Sequence, residues 1–212
     1  MAEGAPLVVG CAHGPLASLV LVRHGRSTYN DEHRLNGDPE VPVSLDATGV
    51  EQVRALRERV ATLPVDLAVH TRFRRTVETL DILFEDRSVP RLECPGLDDV
   101  VLGEFEGAHV DAYREWRDGR GHDDRPRDGE SRRDALGRYT LAFERLAAVE
   151  ASLPLVVTHD IPIRFLANAM RAQDPLDGPV TAVANASLLV VPRAELLAAI
   201  DVMKMALTAA AS

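Results

Sequence analysis

The side chains best suited to chemistry lie in two short segments, each of which places a histidine just beyond a run of apolar residues. Arg23 and His24 follow the run 19–22, and His159 comes soon after the run 155–157. Runs of Val and Leu predict strands that are buried on both faces, so each histidine would stand at the carboxyl end of a strand. A guanidinium can bind an anion while a neutral imidazole attacks it. We therefore predict that the two histidines meet in one anion site.

The Arg-His-Gly sequence at 23–25, followed by Ser27 and Asn30, resembles the signature of the histidine phosphatase superfamily. That family includes the cofactor-dependent phosphoglycerate mutases and many phosphatases. Arg26 stands where the signature usually has Glu, a departure that leaves the candidate nucleophile His24 untouched. The resemblance implies that His24 forms a phosphohistidine. It also implies that Arg23, Ser27 and Asn30 bind the phosphate group.

A second predicted strand, residues 65–71, leads into an arginine-rich turn that resembles the family's Ser-x-Leu-x-Arg-x-x-x-Thr motif. Arg75 has the spacing of the phosphate-binding arginine of that motif. Arg72 and Arg74 lack this spacing, and we expect both at the surface. His159 matches the family's second catalytic histidine, so the resemblance places it beside the phosphate.

Two carboxyl groups are candidates for the acid that protonates the leaving group. The segment 97–107 resembles a family motif whose Glu is the general acid of many members, and Asp99 takes that position with a side chain one methylene shorter. Asp160 follows the second histidine, as in the acid-phosphatase branch, where that Asp protonates the leaving group. We favour Asp99, because a carboxylate that opens a helix is stabilised in its charged form and is a poor proton donor. The alternative role for Asp160 is that of an N-cap.

Two further motifs follow the family's order but carry no predicted chemistry. The Gly-Glu-Ser sequence at 129–131 resembles the start of the family's long helix. Ser131 is predicted to cap that helix, and Glu130 is interpreted as a first-turn carboxylate favoured by the helix dipole. The Asn-x-Ser sequence at 185–187 resembles the family motif that precedes the closing strand.

Strand and helix patterns alternate along the chain, with the polar motifs at the ends of the strands. This order predicts a three-layer α/β/α sandwich with a mostly parallel central sheet, the phosphoglycerate mutase-like fold that the resemblance also implies. The 212 residues fit one catalytic domain at 18–212, preceded by a loose extension at 1–17 that is rich in Gly and Pro. Residues 108–130 mix charges of both signs and predict a cap insertion over the active site, where substrate choice would lie. A surface loop without a ligand role is the alternative.

Composition narrows the classes of partner. The net charge of −9 argues against nucleic acid and anionic membranes, so a phosphate site requires a local concentration of Arg. Cys11 and Cys94 are far apart and form no Cys-x-x-Cys pair, which predicts neither a disulfide framework nor a zinc site and fits a cytoplasmic protein. No apolar run is long enough to span a membrane. No spacing of metal ligands is present either, and His109 and His122 are expected at the surface.

The resemblance implies a metal-independent phosphomonoester hydrolase that needs no cofactor and acts on a small phosphorylated substrate. The alternative among enzymes is phosphoryl transfer of the phosphoglycerate mutase type, which ranks lower because the Arg-His-Tyr-Gly stretch of the mutases has no counterpart at 99–107. A non-catalytic module that binds a phospho-ligand or a protein is the alternative from another class. Such a module would have lost His24 or His159, and both are present. A homodimer is common in similar proteins.

Overall fold

The computed structural model describes residues 16–209, which fold around one five-stranded sheet. The strands are β1 (Ser18–Arg23), β2 (Leu67–His70), β3 (Arg91–Glu93), β4 (Pro154–Thr158) and β5 (Leu188–Pro192). Their order across the sheet is β3-β2-β4-β1-β5. β1 to β4 are parallel to one another, whereas β5 pairs antiparallel with β1 at the edge. The prediction of a mostly parallel sheet is confirmed.

The helices of the described chain are α1 (Thr28–Asp31), α2 (Ala47–Ala61), α3 (Arg74–Leu83), α4 (Val110–Arg117), α5 (Arg132–Ala147), α6 (Asp160–Ala169) and α7 (Arg193–Thr208). Short 3-10 turns at Pro95–Leu97 and Gly103–Phe105 lie between β3 and α4. Ser131 caps α5 as predicted, because its side chain accepts the backbone N–H of Asp134. No helix within residues 16–209 is long and apolar enough to cross a membrane.

Successive side chains of β1 enter two different cores, one on each face of the sheet. Leu19 and Leu21 pack in a cluster with residues of α5, α6 and α7. Val20 and Val22 pack in a second cluster with residues of α2 and α3. All four are completely buried, as expected for a strand that alternates between two covered faces. Helices on both faces give the predicted three layers.

The start of the domain differs from the predicted boundary by two residues. Leu16 is buried, and the backbone N–H of Ala17 donates to the carbonyl of Ser152 at 2.9 Å. The carbonyl of Ala17 accepts from Arg193 at 3.0 Å. Residues 16 and 17 thus belong to the folded domain, because burial and backbone hydrogen bonds hold them. The rest of the predicted extension, with Cys11, lies outside the described residues.

The predicted insertion at 108–130 contains α4 and a loop rich in charged residues. Tyr113 and Trp116 of α4 stack with their ring centroids 5.6 Å apart. Phe105 lies 5.6 Å from Tyr113, so the aromatic rings join α4 to the 3-10 turn that precedes it. The role of the insertion in substrate choice stays a prediction.

Candidate active site

β1 and β4 lie side by side and bring the two histidines together. In their parallel register Arg23 pairs with Thr158, so the residues that follow, His24 and His159, leave the sheet at the same edge. Their ring centroids are 5.3 Å apart, and both side chains are buried. The prediction that the two histidines meet is confirmed.

The ring of His24 is oriented so that its unprotonated nitrogen faces Arg75. Nδ1 lies 2.7 Å from the carbonyl oxygen of Gly25, which only accepts hydrogen bonds, so Nδ1 carries the proton. Nε2 then has a lone pair and accepts a hydrogen bond from Nε of Arg75 at 3.1 Å. His24 therefore presents the unprotonated nitrogen that a nucleophile needs.

Gly25 is required by close packing of the turn after His24. A Cβ atom at this position would lie 2.7 Å from the carbonyl oxygen of Gly49 and 2.7 Å from the side chain of Val53, both on α2. The N–H of Gly25 also donates to Oγ1 of Thr79 on α3 at 3.2 Å. The turn is thus fixed against two helices, which holds the His24 ring in place.

Burial keeps both histidines neutral. Desolvation lowers the pKa of His24 well below its usual value, and the positive charge of Arg75 lowers that pKa further. The pKa of His159 is lowered for the same two reasons. Both imidazoles are therefore uncharged at neutral pH, the state in which a histidine can attack phosphorus.

Arg75 lies at the centre of the site, and its contact with a phosphate stays a prediction. Its Nη2 donates to Nδ1 of His159 at 3.0 Å and to Oδ2 of Asp99 at 3.2 Å. Its Nη1 donates to Oδ1 of Asn36. The side chain is buried, and desolvation lowers the pKa of Arg75 to about 10, so that the guanidinium is charged at neutral pH.

The two arginines that precede Arg75 point elsewhere, as predicted. Arg72 pairs with Asp98 at 2.6 Å, and Arg74 pairs with Glu78 at 2.8 Å. Their side chains are 48% and 58% exposed, whereas Arg75 is 4% exposed. The spacing of the family motif thus selects the one arginine of the three that reaches the histidines.

Arg23 reaches the site from the end of β1 and carries an unused donor. Its Nη1 donates to the carbonyl of Val183 and lies 3.9 Å from Oδ1 of Asp160. Its Nε is buried and has no hydrogen-bond partner among residues 16–209. A buried donor without a partner is costly, so an anion that accepts from it is favoured.

The carboxylate of Asp99 faces both the arginine and the second histidine. Oδ2 of Asp99 lies 3.2 Å from Nη2 of Arg75 and 3.6 Å from Nδ1 of His159. Burial raises the pKa of Asp99, although the charge of Arg75 opposes that rise. A raised pKa favours the protonated form, which a general acid requires.

The carboxylate of Asp160 accepts a backbone hydrogen bond and forms an ion pair. Its Oδ1 accepts the backbone N–H of Val183 at 2.7 Å, and its Oδ2 lies 3.2 Å from Nη1 of Arg164. The prediction that Asp160 caps α6 is wrong: α6 begins at Asp160, and its N-cap is His159, whose backbone is extended. The side chain fixes the loop around Val183, whose carbonyl in turn binds Arg23.

Ser27 and Asn30 form a capping box at the start of α1. Oγ of Ser27 accepts from the backbone N–H of Asn30 at 3.2 Å, and Oδ1 of Asn30 accepts from the N–H of Ser27 at 3.1 Å. Oδ1 of Asn30 also accepts from Nδ2 of Asn185 at 3.3 Å. These bonds stabilise the turn after His24, and direct contact of Ser27 or Asn30 with a phosphate stays a prediction.

Three polar residues of the site were not predicted. The side chain of Asn36 accepts from Arg75 and donates to Oε1 of Glu106 at 2.9 Å. Glu106 also accepts the N–H of Gly37 at 2.6 Å, so it holds the loop that carries Asn36. Thr71 supports His159 through Oγ1, which lies 2.9 Å from Nε2. Glu106 belongs to the segment 97–107 that resembles a family motif, and Thr71 ends the predicted strand 65–71, which were the only signals available.

Glu130 has a different role from the one predicted. It lies before the N-cap Ser131, outside the first turn of α5. Its Oε1 accepts the backbone N–H of Val101 at 2.9 Å, and its carboxylate pairs with Arg138. The interpretation as a first-turn carboxylate is wrong because the capping position of Ser131 places Glu130 in the loop.

Arg26, which replaces the Glu common in the family signature, lies beside α1 and α2. Its guanidinium is 2.8 Å from Oδ1 of Asp31 and 2.7 Å from Oδ2 of Asp46. It also donates to Oγ1 of Thr48 at 2.9 Å. These contacts hold the guanidinium against α1 and the start of α2, and none of them involves His24.

No group of three or more His, Cys, Asp and Glu side chains within residues 16–209 is arranged to hold a metal ion. The positive charges that act on His24 belong to Arg75 and Arg23. Preorganised guanidinium groups can stabilise the charge that develops on phosphoryl oxygens. That the reaction needs no metal stays a prediction.

Residues 19–203 match the family model of the histidine phosphatase superfamily, branch 1. The chain belongs to this superfamily. Members of the histidine phosphatase superfamily work through a phosphohistidine, and this chain is an enzyme of that family. It is 30% identical over 163 residues to a probable phosphoglycerate mutase of Enterobacter sp. strain 638, a match that covers 73% of this chain and 75% of the relative. It is 32% identical over 166 residues to the 2,3-bisphosphoglycerate-dependent phosphoglycerate mutase 2 of Gloeobacter violaceus, covering 71% and 74%.

Solved structures of this histidine phosphatase fold are similar to the chain over most of its length. The alpha-ribazole phosphatase of Shigella flexneri matches with a TM-score of 0.71 and 23% identity, over 82% of this chain and 89% of that one. A mycobacterial glucosyl-3-phosphoglycerate phosphatase in complex with VO3 matches with a TM-score of 0.67 and 26% identity, over 82% and 92%. The predicted phosphoglycerate mutase-like α/β fold is confirmed.

Proposed function

We propose that this enzyme hydrolyses small phosphate monoesters through a phosphohistidine on His24. The observation that carries the proposal is the orientation of the buried, neutral His24 ring. Its unprotonated Nε2 faces the guanidinium of Arg75, and the ring centroids of His24 and His159 are 5.3 Å apart. A phosphate bound by the guanidinium would stand directly in front of the attacking nitrogen.

In the first step, Nε2 of His24 forms a bond to phosphorus as the ester P–O bond breaks. Arg23 and Arg75 stabilise the negative charge on the phosphoryl oxygens. Asp99 in its protonated form donates its proton to the leaving oxygen, a role supported by the rise in the pKa of Asp99 that burial causes. The leaving group departs as a neutral alcohol.

In the second step, water attacks the phosphorus of the phosphohistidine. The carboxylate of Asp99 takes a proton from that water as the new P–O bond forms. The N–P bond breaks, and its electron pair returns to Nε2 of His24. Inorganic phosphate leaves, and Asp99 is protonated again for the next cycle.

A mutase is the second candidate, and the names of the relatives favour it. The relatives from Enterobacter and Gloeobacter are both named as phosphoglycerate mutases. A mutase would return the phosphoryl group from His24 to a second hydroxyl, so that water must be kept out. Hydrolysis ranks first because the Arg-His-Tyr-Gly stretch of the mutases is absent from 99–107.

The proposal includes a cytoplasmic location and a homodimer. The location is supported by Cys94, a half-buried free thiol that a reducing compartment would keep unoxidised.

Substrate choice is assigned to the insertion at 108–130, which borders a cavity of about 480 Å³. The cavity is lined by several basic side chains, among them Arg114, Arg117 and Arg132.

The proposal is tested with a panel of sugar phosphates, nucleotides and aryl phosphates, with and without bisphosphoglycerate. We expect release of inorganic phosphate without bisphosphoglycerate, and labelled phosphorus on His24 after rapid denaturation at alkaline pH. The variant His24→Ala should lose both signals. Transfer that depends on bisphosphoglycerate would favour the mutase, and neither turnover nor label with any ester would favour the non-catalytic module.

A further inference from the structure

One side chain of α5 donates hydrogen bonds to the backbone of the loop at 94–102, which carries Asp99. Nη1 of Arg138 donates to the carbonyl oxygen of Asp98 at 2.9 Å and lies 3.3 Å from that of Gly96. Nη2 of Arg138 donates to the carbonyl oxygen of Asp99 at 3.1 Å. One guanidinium therefore fixes three backbone carbonyls of the segment that carries the candidate acid.

Arg138 is itself fixed by the helix it belongs to and by Glu130. Its Nη2 pairs with Oε1 of Glu130, and its Nε lies 3.3 Å from Oε2. Glu130 also accepts the backbone N–H of Val101, two residues after Asp99. The ion pair is largely shielded from solvent, with side-chain exposures of 26% and 15%. Arg138 and Glu130 thus hold the loop on both sides of Asp99.

The side chain of Asp99 contributes little to holding the loop at 94–102 in place. Oδ1 accepts the N–H of the next residue, Val100, at 3.0 Å, and Oδ2 faces Arg75 and His159. A phosphate would compete for Arg75. A short Asp side chain also keeps its carboxyl close to the backbone, so the position of the backbone decides where the proton donor stands.

We propose that Arg138 is a positioning residue for proton donation by Asp99. It acts through the loop at 94–102 and touches neither His24 nor His159 through any hydrogen bond in the described chain. Small displacements of a catalytic group cost large factors in rate, which is why such a support matters. The inference rests on the proposed function, in which Asp99 is the general acid.

The test compares an aryl phosphate, whose leaving group needs little protonation, with an alkyl phosphate, whose leaving group needs it strongly. For the double variant Arg138→Met with Glu130→Gln, which leaves no unpaired charge, we expect kcat/KM for the alkyl ester, which reports formation of the phosphohistidine and not its hydrolysis, to fall about 10- to 100-fold. kcat/KM for the aryl ester should stay within about threefold of the wild-type value, which also shows that the variant is folded. The control variant is Arg145→Met. Arg145 is exposed on the same helix, so this variant should change kcat/KM for neither ester.

A double-mutant cycle separates positioning from a general effect on the fold. In the Asp99→Asn background, removing the Arg138–Glu130 pair should cause no further loss with the alkyl ester, because its target is already absent. Equal losses on both esters, or losses that multiply in the cycle, would overturn the inference. So would an Asp99→Asn variant without a selective alkyl defect, although hydrolysis through His24 would stand. A wild-type enzyme that turns over neither ester would instead overturn the proposed function.

Discussion

At the scale of single residues, Arg75 is the side chain on which the polar groups of the site converge. It donates to the imidazoles of His24 and His159 and to the carboxylate of Asp99. These bonds satisfy a buried charge while no phosphate is bound. A phosphate dianion offers the same guanidinium stronger acceptors, so we expect binding to release the imidazoles and Asp99 for the reaction.

Replacing Arg75 therefore affects both binding and rate. We expect Arg75→Ala to lower kcat/KM about 10- to 100-fold, because a hydrogen bond to a charged group contributes about 1.5–3 kcal/mol. The matched control is Arg74→Ala, one residue away, whose side chain is 58% exposed and paired with Glu78. Steady-state kinetics on an aryl phosphate measures both. Similar losses in the two variants would mean that Arg75 does not bind the phosphate.

The choice between the two candidate acids is also made at the residue scale. Asp99 faces the reacting groups and has a raised pKa, whereas Asp160 is bonded to the N–H of Val183 and to Arg164. We expect Asp99→Asn to lower kcat/KM for an alkyl phosphate by a factor on the order of 100 or more and to spare kcat/KM for an aryl phosphate, because kcat/KM reports formation of the phosphohistidine and not its hydrolysis. Asp160→Asn should affect both esters alike, through the loop that carries Val183. A selective alkyl defect in Asp160→Asn would reverse the assignment.

At the scale of elements, the site is built where β1 and β4 end and where α3, α6 and the loop at 94–102 begin. The strands supply the histidines, and the helices fix the turns that follow them. Apart from Glu130, which holds the loop at 94–102, α4 and the rest of the insertion at 108–130 lie outside this framework. Their charged residues can thus vary without disturbing the histidines, as expected of a segment that sets substrate choice.

The insertion yields a prediction about specificity. Arg117 lines the cavity of about 480 Å³ and makes no ion pair with any described residue. If substrates with a second acidic group bind there, Arg117→Ala should raise KM for those esters about fivefold, a loss near 1 kcal/mol, and leave kcat unchanged. Simple aryl phosphates should keep their KM. The exposed Arg54→Ala on α2 is the control, and an unchanged order of substrates in Arg117→Ala would remove the cavity from substrate choice.

The elements that carry the histidines could be predicted because their signal is local. The apolar runs before His24 and His159 are buried on both faces, and no other structure suits them so well. The polar support could not be predicted in this way. Glu106 binds Gly37 across 69 residues of chain, and Arg75 binds Asn36 across 39, so no local pattern records either contact.

Two interpretations failed because capping depends on backbone geometry. Asp160 and Glu130 each stand beside a helix start, and each has the composition expected there. The cap falls on His159 in one case and on Ser131 in the other, where the backbone is extended. A shift of one residue places Asp160 in the first turn of α6, where it pairs with Arg164. Glu130 lies in the loop before α5, where it pairs with Arg138.

At the scale of the whole molecule, the site couples catalysis to stability. The chain carries a net charge of −9, yet Arg75 and Arg23 lower the pKa of both histidines, and both imidazoles are buried without charge. The folded chain therefore takes up no second proton on the imidazole of His24 or His159 under conditions in which an unfolded chain would. The two histidines by themselves therefore lower the free energy of unfolding as the pH falls.

The resulting pH dependence can be predicted with its sign. Because the folded pKa of each histidine lies well below 6.5, the unfolded chain takes up protons first as the pH falls through 6.5, and stability drops. Between pH 7.5 and pH 5.5 the loss should be about 1.4 kcal/mol for each histidine, or about 2.7 kcal/mol for the pair. Urea unfolding at the two pH values measures it. His24→Gln, which cannot titrate, should reduce the loss by about 1.4 kcal/mol relative to the wild type. A variant with the same pH dependence as the wild type would show that His24 is not held neutral by the fold.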